Sequence, residues 1–118
     1  MKIALLDRDG IARPFPAQVV GKHDYTVPLV IVGRFLGIHD APKWDEWHGS
    51  PAAKLDGRLV TFREGSREVR IAGKPHAISA AIRIVENRVM APLSLIEYVT
   101  QKRFTWTVQD GVPVGALR

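Results

Sequence analysis

The chain has no cysteine. Disulfide staples, thiolate nucleophiles and cysteine-bound zinc are therefore excluded. Long apolar runs are also missing. The longest extends from Val27 to Val32 and gives way to Gly33 and Arg34, well short of the roughly 20 residues that a membrane-spanning helix needs. The opening MKIALLDRDG has one lysine and a brief apolar patch before Asp7, Arg8 and Asp9. A secretory leader requires a longer apolar stretch and a small-residue cleavage site, so no export signal is expected. No phosphate-binding loop, dinucleotide-binding glycine fingerprint or Gly-x-Ser-x-Gly elbow occurs.

What is present suits one folded unit spanning residues 1–118. Hydrophobic residues make up 46% of the 118 and charged residues 25%, the balance of a soluble globular protein with a core of its own. The formal net charge is +5, which favours anionic partners such as nucleic acid, acidic cell-wall polymers or lipid headgroups. The lysines and arginines are scattered rather than blocked, and a solvated surface can carry an excess of this size.

Two stretches open in the same way. Tyr25-Thr26-Val27-Pro28-Leu29 heads an apolar run to Gly37, and Val89-Met90-Ala91-Pro92-Leu93 heads another to Thr100. Proline suits a first helical turn, where its absent N–H would be unpaired anyway. Leu29, Val32 and Leu36 fall on one face, as do Leu93, Ile96 and Val99. Both runs predict amphipathic helices, the first capped by Gly37. Strands are expected at Ile3 to Leu6, at Leu59 to Arg63 with Glu68 to Ala72 as a hairpin, at His76 to Ile78, at Ala81 to Val85, and at Arg103 to Val108. Arg13 to Pro16 reads as an edge or loop, since Pro14 and Pro16 cannot donate ladder hydrogen bonds. His39 to Arg58 reads as one long loop, with a short strand around Lys43 to Trp47, and the residues after Asp110-Gly111 as loose ends.

Aligning Pro28 with Pro92 places Leu29 on Leu93 and Val32 on Ile96, with a tryptophan following in each case, Trp44 and Trp106. The expectation is an α+β fold: a twisted, mostly antiparallel sheet with two amphipathic helices, built from two pseudo-repeated β-α-β halves.

This arrangement resembles the copper amine oxidase N-terminal-like domain family. Glu86-Asn87-Arg88-Val89-Met90-Ala91-Pro92-Leu93 matches its turn and helix start, and Phe104-Thr105-Trp106 its closing strand. Tyr25 to Leu29 with Leu36-Gly37 matches the first copy, which carries a two-residue insertion at His39-Asp40. The arginine usual after Pro-Leu is Val30 in one copy and Ser94 in the other, and Thr100-Gln101 stands where the family has Leu-Gly. The resemblance implies a non-catalytic module, stalk-like or accessory, of a bacterial surface or secreted protein. The copper and quinone chemistry of amine oxidases belongs to another, larger domain. Its signature is also missing here, because Asn87 is the only asparagine and precedes Arg88 rather than a tyrosine. No enzyme activity and no cofactor are expected. The alternative is a small intracellular or phage-type protein that binds nucleic acid or a protein partner through a basic face.

Five residues are singled out for binding. Trp47 lies on a polar stretch beside His48, where an exposed aromatic could stack on a sugar, a base or a partner's side chain. Arg63, Arg67, Arg70 and Arg83 are expected on neighbouring strands, facing away from the apolar side, as a basic stripe for an anionic cell-wall polymer or a partner protein. His39 and His48, with Asp40, Asp45 and Glu46 nearby, are weak metal candidates, since imidazole with carboxylate can hold zinc, nickel or copper. Their spacing is not one that preorganises ligands. Ser50, His48 and Asp45 are too local to converge as a catalytic triad.

Overall fold

The computed structural model describes residues 1–39, 45–47 and 50–118, with backbone alone for 45–47 and 50. Its strands form three sheets. The central one has the order β10-β11-β4-β3, from β3 (Gln18–Gly21), β4 (Asp24–Pro28), β10 (Arg83–Val85) and β11 (Arg88–Pro92). Every pair in it is antiparallel. β4 and β11 meet in the middle, with Pro28 opposite Met90, Val27 opposite Ala91 and Thr26 opposite Pro92.

Each middle strand runs directly into a helix: β4 into α1 (Leu29–Phe35) and β11 into α2 (Leu93–Thr100). Both prolines sit at the last strand position and serve as N-caps. The last rung to the outer strand is Gln18 opposite Thr26 on one side and Arg83 opposite Met90 on the other. Both prolines thus lie two residues beyond any rung that would need their N–H. The helices cross over, α1 packing chiefly on β11 and α2 on β4. Their buried faces are as expected: Leu29, Val32 and Leu36 from α1 and its C-cap, and Leu93, Leu95, Ile96 and Val99 from α2. α1 is shorter than its apolar run, because Gly37 turns left-handed at φ 76 just after the cap. In α2 the same conformation falls to Gln101, at φ 58, whose side-chain amide donates to the Tyr98 carbonyl at 2.6 Å.

The second sheet has the order β12-β13-β1-β2 and joins the two termini. β1 (Lys2–Leu6) pairs in parallel with β13 (Val112–Leu117) and antiparallel with β2 (Ala12–Pro16). The mostly antiparallel expectation therefore holds with one parallel pair. Pro14 and Pro16 are tolerated because β2 is an edge, and at a spacing of two both missing donors can face outward. Phe15 between them is buried. The C-terminal residues, expected to be loose, instead form β13, a strand paired on both sides. Pro113 and Gly115 hid it, since both are poor strand formers. Gly115 has a reason to be glycine: a Cβ there would come within 2.8 Å of the Trp106 ring on β12 (Phe104–Gln109). Trp106 is half-buried against the core, with Tyr25 at 5.1 Å and Phe104 at 5.9 Å between ring centroids.

The third sheet is a meander, β5 (Asp45–Trp47), β6 (Ser50–Leu55), β7 (Arg58–Thr61), β8 (Glu68–Ile71) and β9 (Lys74–Ala77). The β7–β8 hairpin is the predicted one, with Val69 and Ile71 inward and Glu68 and Arg70 outward. The long-loop reading of His39 to Arg58 is corrected by β6, six residues paired with β7. Its Ala52 and Ala53 lack the branched side chains that signal a strand. Lys43 and Trp44 lie outside the described residues. One cluster of buried side chains draws on all three sheets and both helices. No helix of the described residues is long and apolar enough to cross a membrane.

Gly115→Ala is expected to lower unfolding stability by about 1–3 kcal/mol, the usual cost of forcing atoms into a packed site, measured by chemical denaturation. An unchanged midpoint would mean that Trp106 does not press on β13.

Candidate functional site

The outer face of α2 is where polar chemistry gathers. With Leu93, Leu95, Ile96 and Val99 turned inward, Ser94, Tyr98 and Gln101 share the opposite side. Tyr98 is 45% exposed. The His76 ring, from β9, stacks on it at 3.7 Å between centroids and 23° between planes. A cleft lies on either side of Tyr98. One, of about 230 Å³, is lined by Arg58, Lys74 and His76, and the other, of about 340 Å³, by Ser94, Gln101, Lys102 and Arg103.

Turn chemistry explains how cations from distant parts of the chain meet here. Asp56-Gly57 and Ala72-Gly73 connect β6 to β7 and β8 to β9, and all four residues have φ between 51 and 81. Two consecutive positive φ values are the backbone of a type I′ hairpin turn. The first residue after each turn is a cation, Arg58 or Lys74. Two turns separated by two strands lie at the same end of a meander, and Ala72 N–H donates to the Leu59 carbonyl at 2.9 Å, joining them. Lys102 and Arg103 follow the left-handed Gln101.

Among the described residues, the side chains of Arg58, Lys74, Lys102 and Arg103 have no ion-pair or hydrogen-bond partner. The one carboxylate in the groove, Glu97, accepts the Phe104 N–H at 2.8 Å. Lys102 and Arg103 lie just past the negative end of α2, where cations are favoured in any case. Arg58 and Lys74 come from another sheet and have no such local role. The arrangement can hold an anion by charge and hydrogen bonding.

The seat of α2 is fixed from the β3–β4 hairpin. Pro92 offers no side-chain cap. Asp24 supplies one, its carboxylate accepting from Ser94 N–H at 3.2 Å, from Ser94 Oγ at 3.0 Å and from Ser79 Oγ at 2.6 Å.

The arginines picked from sequence belong to two sheets, with Arg83 beside the turn between β7 and β8, where Ile82 N–H donates to the Ser66 carbonyl at 2.8 Å. Arg63 and Arg70 line a shared cleft with Glu68, and Arg70 donates to the Gly73 carbonyl at 3.3 Å. Arg67 is exposed just ahead of β8. Arg83 is on β10, in the central sheet, and donates to Gln18 Oε1 at 3.0 Å. The expectation of neighbouring strands is thus corrected for Arg83. Trp47 lies on β5, and its side chain is outside the described residues, as is His48. His39 forms an isolated bridge with Leu55. No group of three or more metal-ligating side chains occurs among the described residues.

A family model described as the copper amine oxidase N-terminal domain matches residues 9–113. The chain belongs to that family, and the domain is a non-catalytic accessory module. No curated protein and no solved structure gives a significant match.

Asp24→Ala is expected to cost about 1–3 kcal/mol, because it strands a partly buried N–H and hydroxyl at the start of α2. Ser79→Ala, which keeps both Asp24–Ser94 hydrogen bonds and removes only those of the Ser79 hydroxyl, should cost less. Equal losses in denaturation midpoint would show that Asp24 does not hold the helix.

Proposed function

We propose that this accessory module is a non-catalytic binding piece of a bacterial surface or secreted protein, and that the groove beside Tyr98 holds an anionic cell-wall polymer. The observation that carries this reading is the convergence of four unpartnered cations, from two sheet turns and a helix end, around one exposed tyrosine. Surface cations usually find a carboxylate or spread apart, because concentrated like charge repels. The Arg63–Arg70 cleft supports it less, since Glu68 lines it and Arg70 is already engaged.

The chain also reads as one unit built of two similar halves. The 64-residue offset that takes Pro28 to Pro92 exchanges the two ends of the β4–β11 ladder, Pro28 with Pro92 and Met90 with Thr26, and leaves Val27 opposite Ala91. It also carries Gly21 opposite Asp24 onto Val85 opposite Arg88. A duplicated hairpin-helix piece pairing about a pseudo-twofold axis would have this register. The halves have diverged in chemistry. Asp24 caps α2, whereas its counterpart Arg88 cannot do the same for α1.

Co-sedimentation with purified anionic cell wall over a salt series, with duplex DNA as soluble competitor, tests the binding reading. Lys74→Glu with Arg103→Glu should weaken binding about tenfold or more, while Arg63→Glu with Arg70→Glu changes it little. A larger loss from the Arg63/Arg70 pair, or equal displacement by DNA, would overturn the groove as the wall site and favour generic charge attraction or a nucleic-acid partner.

A further inference from the structure

Resting on that reading, we infer that the groove takes a linear polyol-phosphate chain, a polymer without rings whose phosphates occupy both clefts at once across Tyr98. The two clefts share Tyr98 as their common wall, and each has its own cations: Arg58 and Lys74 on one side, Lys102 and Arg103 on the other. A single small anion satisfies one cleft and leaves the other pair of charges unmatched. A chain with regularly spaced phosphates neutralises both, and its second contact forms at the high effective concentration set by the first.

The aromatic chemistry selects against ringed polymers. Nucleic-acid strands and uronic-acid polysaccharides gain affinity by laying bases or sugars on open aromatic faces. Among the described residues Tyr98 is the only strongly exposed Phe, Tyr or Trp, and His76 covers one face of its ring. What Tyr98 offers is its hydroxyl, which has no hydrogen-bond partner among the described residues. Gln101, whose Nε2 donates to the Tyr98 carbonyl, adds its amide oxygen as an acceptor for the free hydroxyls of a polyol. Guanidinium and ammonium groups suit the phosphates.

Isothermal titration of the full chain with inorganic phosphate, with glycerol-phosphate oligomers of increasing length and with a single-stranded oligonucleotide of matched charge tests this. The expected result is a step in affinity, about tenfold or more, at the length that first reaches both clefts. Lys74→Ala, in one cleft, and Arg103→Ala, in the other, should each abolish the step, whereas Arg63→Ala, outside both clefts, should leave it in place. Circular dichroism checks that both variants stay folded. Affinity rising smoothly with phosphate number, or equal binding of the oligonucleotide, overturns the inference. If the wall still binds and the double charge reversal still weakens it, only the linear-chain inference has failed. If neither oligomers nor wall bind, the groove reading falls with it.

Discussion

The β4–β11 ladder is the constraint on which the rest of the structure depends. It is short, its middle pair Val27 and Ala91 are both fully buried, and each strand becomes a helix at its proline. Because proline fixes φ, little freedom is left between strand and helix. Pairing the strands therefore aims both helices, and the helices cross to pack on each other's strand. β4 is buried along both faces from Tyr25 to Pro28, so a slip of one residue in this register would set its side chains into places shaped for their neighbours. The Asp24 cap adds a second tie, joining the β3–β4 hairpin to α2 through hydrogen bonds rather than apolar contact.

From this frame the charge distribution follows. The β9 strand brings His76 against Tyr98, so the turn end of the third sheet is carried to the outer face of α2. Type I′ turns need residues that accept positive φ, and here they are followed at once by Arg58 and Lys74. A helix ending at Gln101 releases Lys102 and Arg103 into the same region. Backbone geometry assembles the groove from segments distant in the chain.

Legibility in the sequence was uneven for that reason. The helices were readable because Pro-Leu and an apolar period act locally, and the β7–β8 hairpin because its alternation matches its burial. β6 and β13 were not readable, since Pro51, Ala52, Pro113 and Gly115 argue against strands and only pairing with neighbours overrides them. The groove is not legible because its cations come from three separate places in the chain, and the register between sheet and helix is tertiary. One signal was available. Asp56-Gly57-Arg58 and Ala72-Gly73-Lys74 repeat a turn-then-cation pattern two strands apart, which places both charges at one end of a meander. Arg83 shows the opposite effect: nearness in sequence suggests a sheet shared with β7 and β8, whereas β10 pairs with β11.

The most direct test of the central claim is a backbone amide chemical-shift titration of the full chain with poly(glycerol phosphate). The account predicts that shifts concentrate at Arg58, Lys74 to His76, Tyr98 and Gln101 to Arg103, with Arg63 to Arg70 nearly still. Shifts centred on Arg63 to Arg70, or spread evenly over all exposed lysines and arginines, would contradict it.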